Sequence, residues 1–119
     1  MEDRNITIII KPVPFIPNLT IITLKGSFDL STSKYADEKI LPLIEEGNSN
    51  IIIDLSRLEY LSSIGLMSLT QYQVILTYKK RFLKLIKPPS HIYDTLVVTG
   101  FTKRFDIYDT SEEAIRLSR

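Results

Sequence analysis

The chain has 119 residues, of which 44% are hydrophobic and 24% are charged, and its formal net charge is +1. This length predicts a single domain over residues 1–119, because two domains would each be too small to bury a good core. The balanced charge favours neither nucleic acid nor an anionic membrane surface as a partner. With no cysteine and one histidine, His91, we expect no metal site and no cofactor, and a binding module more than an enzyme.

The sequence shows no targeting signal. Residues 1–5 lack the basic start and apolar segment of a secretory signal. The longest apolar runs, Ile8–Ile10 and Ile51–Ile53, are far shorter than the roughly 20 residues of a membrane helix. We therefore expect a cytoplasmic protein with no direct membrane insertion.

The first part of the chain predicts an antiparallel hairpin. Alternating β-branched residues predict strands over Ile6–Lys11 and Leu19–Lys25. Prolines between the strands predict a wide loop, because proline cannot donate to a strand ladder. Gly26–Leu30 is expected to end the second strand.

A helix is predicted after this hairpin. Its N-cap is expected at Ser31, Thr32 or Ser33, and its end at Gly47 and Asn48. Pro42 lies inside this segment, so we expect it to kink the helix or divide it in two.

The rest of the chain alternates strands with helices. The apolar run Ile51–Leu55 predicts a strand buried on both faces. The later predicted elements are a helix over Ser62–Lys79, a strand over Arg81–Ile86, a short helix containing Ile92, Leu96 and Val97 that stops at Gly100, a strand over Phe105–Tyr108, and a final helix reaching Leu117 with Thr110 or Ser111 as its cap. The order β-β-α-β-α-β-α-β-α predicts an α/β fold, with a mixed four- to five-stranded sheet and helices packed against it.

Two serines open the helix after the buried strand. Ser62 or Ser63 is expected at its N-cap, and Gly65 within its first turn costs about 1 kcal/mol relative to alanine. Such a glycine indicates close approach of the sheet or of a partner. The positive end of a helix would tolerate a phosphoryl group on Ser63, which adds about −1.5 to −2 charges. The position alone leaves both interpretations open, a capping role or a modification site.

Taken together, these residues resemble the STAS domain, the family of anti-sigma factor antagonists and sulphate-transporter tail domains. The resemblance covers nearly the whole chain and is most specific where a strand, a loop, a serine, a glycine and a leucine follow in order. The matching segments are Leu24–Asp29, Ile52–Ser56, Tyr60–Leu66, Phe82–Leu85, Gly100–Phe101, Phe105–Tyr108 and Ser111–Ala114.

This resemblance implies a regulatory protein. In bacterial members, a serine of the motif is phosphorylated by a kinase that is also the anti-sigma factor, and a separate phosphatase reverses the modification. Ser63 falls on that serine and Ser62 is the second choice, whereas Ile64 stands where some members are phosphorylated. The implied partner-binding residues are Asp29, Ser62, Ser63, Ile64, Gly65 and Met67.

The same family leaves two other functions open. A STAS subunit can bind a membrane transport complex of the ABC type constitutively, or it can belong to a multi-STAS signalling assembly. The oligomeric state stays open.

We recognise no group of residues arranged for catalysis and therefore expect no enzyme activity.

The sequence departs from the family pattern at Ser62 and at Lys79–Arg81, and it matches the pattern at Asp29. Ser62 stands where sporulation-type members have aspartate, and Lys79–Arg81 replaces a usual glycine pair. Asp29 matches the strand-end aspartate of the family, and a cap for the following helix is an equally good interpretation.

The helix from Ser62 carries apolar residues on two sides. The sheet-facing set is expected to be one of two groups, either Gly65, Leu66, Leu69, Tyr72 and Leu76 or Ile64, Met67, Val74, Ile75 and Tyr78. The second group either packs against a neighbouring helix or forms an exposed patch for a partner.

The remaining polar features predict solvated surface. We interpret the basic residues Lys79, Lys80, Arg81, Lys84 and Lys87 as a solvated face, and His91 as an exposed or capping residue.

Overall fold

The computed structural model describes residues 5–116, and its elements follow the predicted order. They are β1 (Ile6–Pro12), β2 (Leu19–Phe28), α1 (Leu30–Glu46), β3 (Asn50–Leu61), α2 (Ser63–Tyr78), β4 (Leu83–Ile86), α3 (Ser90–Val98), a 3₁₀ turn (Phe101–Lys103), β5 (Asp106–Tyr108) and α4 (Ser111–Arg116). The predicted α/β fold is confirmed, and Leu117 lies outside the described residues.

The five strands form one mixed sheet in the order β1-β2-β3-β4-β5. β1 pairs with β2 in antiparallel orientation, which confirms the predicted hairpin, and the remaining neighbours pair in parallel. Right-handed crossovers between successive parallel neighbours place the connecting helices α1, α2 and α3 on one face of the sheet.

The hydrophobic core has two clusters, one on each face of the sheet. Ile51 and Ile53 belong to the larger cluster with residues of these three helices, and Ile52 belongs to a smaller cluster with Ala114 of α4. The prediction that this strand is buried on both faces is therefore confirmed.

β2 and β3 are longer than predicted. The expected break at Gly26–Leu30 is wrong, because β2 continues to Phe28 through a register shift and pairs with β3 as far as Leu61. Gly26 permits this path with a φ of +110°, where a Cβ would collide with the carbonyl oxygen of Asn5.

The start of α1 also differs from the prediction. The N-cap is Asp29, which confirms the capping interpretation of this residue, and not Ser31, Thr32 or Ser33. The Asp29 carboxylate accepts a hydrogen bond from the Ser31 backbone N–H at 3.0 Å, and the Thr32 hydroxyl oxygen accepts one from the Asp29 backbone N–H at 3.0 Å. The Asp29 side chain also accepts from the Thr32 backbone N–H, so Asp29 and Thr32 form a reciprocal capping box. Of the two outcomes expected at Pro42, a kink or a division, the division is wrong, because α1 is a single helix that contains Pro42 and ends, as predicted, at a Gly47 C-cap.

Arg81 connects the end of α1 to the rest of the fold. Its guanidinium donates to the carbonyl oxygens of Ser49 at 2.8 Å, Ile44 at 2.7 Å, Gly47 at 2.9 Å and Leu43 at 3.3 Å. The last carbonyls of a helix lack intrahelical donors, and α1 has no basic residue in its last turn, so Arg81 supplies them from a distance. The interpretation of Arg81 as part of a solvated face is wrong.

Lys84 is the second basic residue that the prediction misplaced. It is buried in β4, with its Nζ 4.7 Å from the ring centre of Phe82 and 5.1 Å from that of Tyr108. Burial lowers the pKa of its ammonium group. The aromatic rings stabilise a cation in this position, which a solvated face would not require.

Candidate functional site

The candidate site lies where β2 and β3 end together. Phe28 and Leu61 are register partners, and the Ser62 backbone N–H donates to the Phe28 carbonyl oxygen at 3.0 Å. Because the two strands are parallel, they deliver Asp29 and Ser62 to the same edge. Two helices begin there, α1 after Asp29 and α2 after Ser62.

The two serines have different environments. Ser62 is half-buried and is the N-cap, because its hydroxyl oxygen accepts a hydrogen bond from the Gly65 backbone N–H at 3.2 Å. Ser63 is the first residue of α2 and is exposed, and its hydroxyl has no hydrogen-bond partner among residues 5–116. Ser63 therefore presents a free hydroxyl at the positive end of a helix.

Gly65 is buried against the end of β2. A Cβ at this position would lie 2.5 Å from the Phe28 carbonyl oxygen and 2.9 Å from the Leu61 side chain. The close approach expected from the sequence is therefore made by the sheet. Glycine lets the first turn of α2 rest directly on the backbone of β2.

The Asp29 carboxylate is held in its charged form. Hydrogen bonds from the Ser31 hydroxyl, at 2.7 Å, and from the Ser31 backbone N–H keep the pKa of Asp29 below its usual range, against an opposing effect of partial burial. The capping role of Asp29 is thus visible, and the same residue stands at the edge that carries Ser62.

Large apolar side chains surround this edge and remain exposed. The exposed fractions are 76% for Leu30, 54% for Tyr60 and 65% for Met67. An open concavity of about 480 Å³ lies beside Leu30 and Tyr60, and it is lined by Asp29, Leu30, Ser31, Tyr60, Ser62 and Ile64. The sequence analysis did not select Leu30 or Tyr60 as site residues. Leu30 could have been selected from the sequence, because it is an apolar residue at the start of a predicted helix that falls outside the apolar stripe expected to be buried.

The outer side of α2 is exposed as well. The group Gly65, Leu66, Leu69, Tyr72 and Leu76 is buried, so it is the sheet-facing set. In the other group, Met67, Val74 and Tyr78 are exposed, and Ile64 and Ile75 are half-buried. Packing of the second group against a neighbouring helix is therefore wrong for Met67, Val74 and Tyr78.

His91 is exposed, as expected. Its Nε2 lies 2.8 Å from the carbonyl oxygen of Glu59, so this ring nitrogen donates a hydrogen bond. It does not line the concavity beside the serines.

Replacing Gly65 with alanine is expected to lower the free energy of unfolding by about 2 kcal/mol, because the new methyl group must displace the end of β2 or the start of α2. Urea denaturation measures this change. Gln71→Ala, at an exposed position of the same helix, is the matched control and should change stability by less than about 0.5 kcal/mol. Equal stability of the two variants would contradict the close approach.

The Asp29 cap is expected to make stability depend on pH. Because the pKa of Asp29 is lowered by folding, its stabilisation is present above the pKa of the unfolded chain and is lost as pH falls through the folded pKa. Asp29→Ala should lower stability by about 1 kcal/mol at pH 7.

Asp29→Asn separates the cap from the charge, since it keeps an acceptor oxygen but does not titrate. Its stability should therefore fall less than that of the wild type between pH 5 and acidic pH, as measured by urea denaturation across this range. Glu46→Gln, at an exposed helix end, is the control. A wild-type pH profile in Asp29→Asn would show that the carboxylate charge contributes nothing.

Comparisons with known proteins extend these observations. Residues 11–114 match the sequence profile of the STAS domain. BtrV of Bordetella bronchiseptica, which carries the name of an anti-sigma factor antagonist, is 23% identical over 99 residues, covering 83% of this chain and 85% of that protein.

Two solved structures are similar in fold. A crystal structure of an anti-sigma factor antagonist from Mycobacterium paratuberculosis has a TM-score of 0.79 and 22% identity, covering 96% of this chain and 94% of that one. The Bacillus cell fate determinant SpoIIAA in its phosphorylated form has a TM-score of 0.72 and 21% identity, covering 95% of this chain and 100% of that one.

None of the helices within residues 5–116 is long and apolar enough to cross a membrane. The expected resemblance is confirmed, because the profile match extends from the end of β1 into α4. The chain belongs to the STAS domain family.

Proposed function

We propose that this protein is an anti-sigma factor antagonist that is switched by phosphorylation of Ser63. Its unmodified form binds an anti-sigma factor that is also a serine kinase, and a cognate phosphatase restores that form. One observation carries the proposal: a free, exposed serine hydroxyl at the start of α2 stands beside exposed apolar side chains. The whole chain acts as one cytoplasmic STAS domain that works by binding and not by catalysis.

The local chemistry suits Ser63 better than Ser62. Phosphorylation transfers the γ-phosphoryl group of ATP to the serine oxygen, which loses its proton, and ADP leaves. The Ser62 oxygen already accepts the capping hydrogen bond from Gly65 and is half-buried. Modification of Ser62 would disturb the helix start, whereas Ser63 is available without breaking any described hydrogen bond.

The switch follows from what surrounds Ser63. A partner that covers Leu30, Tyr60 and Met67 removes apolar surface from water, which favours binding. A phosphoryl group on Ser63 would bring about −1.5 to −2 charges into this contact, and burying that charge without partners is costly. Asp29 adds a like charge at the same edge. Modification is therefore expected to weaken the complex.

The names of two similar proteins support the choice of partner class. BtrV and the Mycobacterium paratuberculosis protein both carry the name of anti-sigma factor antagonist. SpoIIAA has been solved in a phosphorylated form, which supports the choice of phosphorylation as the covalent change.

Phosphosite mapping tests the covalent step. A fraction of the protein isolated from its own cells should carry one phosphoryl group on Ser63. Ser63→Ala should lose the modification, and Ser62→Ala, the matched control, should keep it. Modification at Ser62 alone would overturn the assignment.

A protein that is never modified would favour one of the two other functions. Association with a transport ATPase would then indicate a constitutive transporter subunit, and self-association in solution would indicate a multi-STAS assembly.

Met67→Asp tests the apolar surface. Because Met67 is exposed, the variant should keep the wild-type melting temperature, while its affinity for the anti-sigma partner should fall at least about tenfold, or 1.4 kcal/mol. Calorimetric titration measures this affinity. Val74→Asp, at an exposed position two turns along α2, is the matched control and should bind nearly as well as the wild type. A loss of folding in Met67→Asp would show that this face is core.

A further inference from the structure

A second concavity lies outside the surface around Ser63. It has a volume of about 520 Å³ and is formed by Lys25 of β2, residues 56–59 of β3, and Pro89 and His91 at the start of α3. None of these residues lines the concavity beside the serines. Its volume is in the range of sites that hold small molecules.

Two cations stand side by side in this second concavity. Lys25 and Arg57 are register partners on neighbouring parallel strands, which lie about 4.8 Å apart. Both side chains are exposed, and no described carboxylate forms an ion pair with either. Like charges on directly paired strand residues repel each other. Since neither cation is ion-paired within residues 5–116, an anion bound between the two side chains would reduce this repulsion.

The other polar groups of the concavity are consistent with an anion. The hydrogen bond from His91 Nε2 to the Glu59 carbonyl oxygen fixes the imidazole ring at the rim. Ser56 adds an exposed hydroxyl, which can donate. The carboxylate of Glu59 is the single acidic side chain among the lining residues, so Lys25 and Arg57 outnumber it.

We propose that this concavity binds a small phosphate-bearing molecule, held by Lys25 and Arg57. The planar guanidinium of Arg57 matches the oxygens of a phosphate group in a bidentate contact, and Lys25 supplies a point charge beside it. Among the described lining residues there is no phenylalanine, tyrosine or tryptophan on which a nucleobase could stack, and the one aromatic ring, the imidazole of His91, is held by its hydrogen bond to Glu59. The phosphate group, and not a base, is therefore the recognised element.

Titration of the ¹⁵N-labelled full chain with sodium pyrophosphate, at constant ionic strength, tests this proposal. Saturable amide shifts are expected at residues 25, 56–59, 90 and 91. Arg57→Gln and Lys25→Gln should each weaken the affinity at least tenfold. Lys80→Gln, which removes another exposed cation, is the matched control and should bind like the wild type.

Glu59→Gln provides a test in the opposite direction. Removing the carboxylate should tighten pyrophosphate binding several-fold, and a gain of affinity cannot result from a folding defect. Non-saturating shifts spread over all exposed lysines would overturn the proposal, as would an equal loss of affinity in Lys80→Gln. Acetate binding as tightly as pyrophosphate, or GTP binding more than tenfold tighter than pyrophosphate, would also overturn it.

Discussion

The carbonyl oxygen of Phe28 determines where the candidate site is built. It accepts the hydrogen bond of the Ser62 backbone N–H, which ties the end of β3 to the end of β2. The same oxygen lies 2.5 Å from the place where a Cβ of residue 65 would stand, so α2 can begin here only with glycine in its first turn. One backbone group thus positions the Ser62 cap and the exposed Ser63 hydroxyl. The same strand end leads into Asp29, which puts the only carboxylate of the concavity at this edge.

The contacts that hold α2 in the fold lie on its buried side. The sheet-facing side is fully buried, and the Tyr72 hydroxyl donates to the Asp37 carboxylate of α1. Burial, together with this hydrogen bond and the nearby charge, raises the pKa of Tyr72 well above its ordinary range, so the tyrosine remains a donor. These contacts hold the helix in place from inside. Met67 lies outside this buried side and is exposed, so its replacement is expected to leave the fold intact.

The sequence predicted the helices and strands that are marked by a pattern of neighbouring residues. Alternating β-branched residues predicted the β1–β2 hairpin, and the run Ile51–Ile53 predicted a strand that contributes to both core clusters. The extension of β3 to Leu61 had no such signal. Beyond the end of β4 the extension pairs with β2 alone, so many of its side chains meet water and resemble those of a loop.

Arg81 shows the other limit of prediction. The carbonyl groups that it satisfies lie 32 to 38 residues away along the chain, and no local pattern connects them. The cap of α1 was assigned first to three hydroxyl residues, because the predicted end of β2 fell before Asp29, and Asp29 was a cap only in the second interpretation of that residue. At the candidate site, the motif located the two serines, and the fold showed that their environments differ, because Ser62 is the half-buried N-cap and Ser63 is exposed.

The capping role of Ser62 explains what changes when serine stands at a position where sporulation-type members have aspartate. A serine at this N-cap satisfies the Gly65 backbone N–H as an aspartate would, but it adds no charge. In our proposal the surface beside Ser63 is then mostly apolar before phosphorylation, with Asp29 as its carboxylate. Phosphorylation therefore changes the local charge by a larger fraction with serine at residue 62 than it would with aspartate there. A partner that binds through Leu30, Tyr60 and Met67 would meet this change directly, because the phosphoryl group would stand where apolar contact is made.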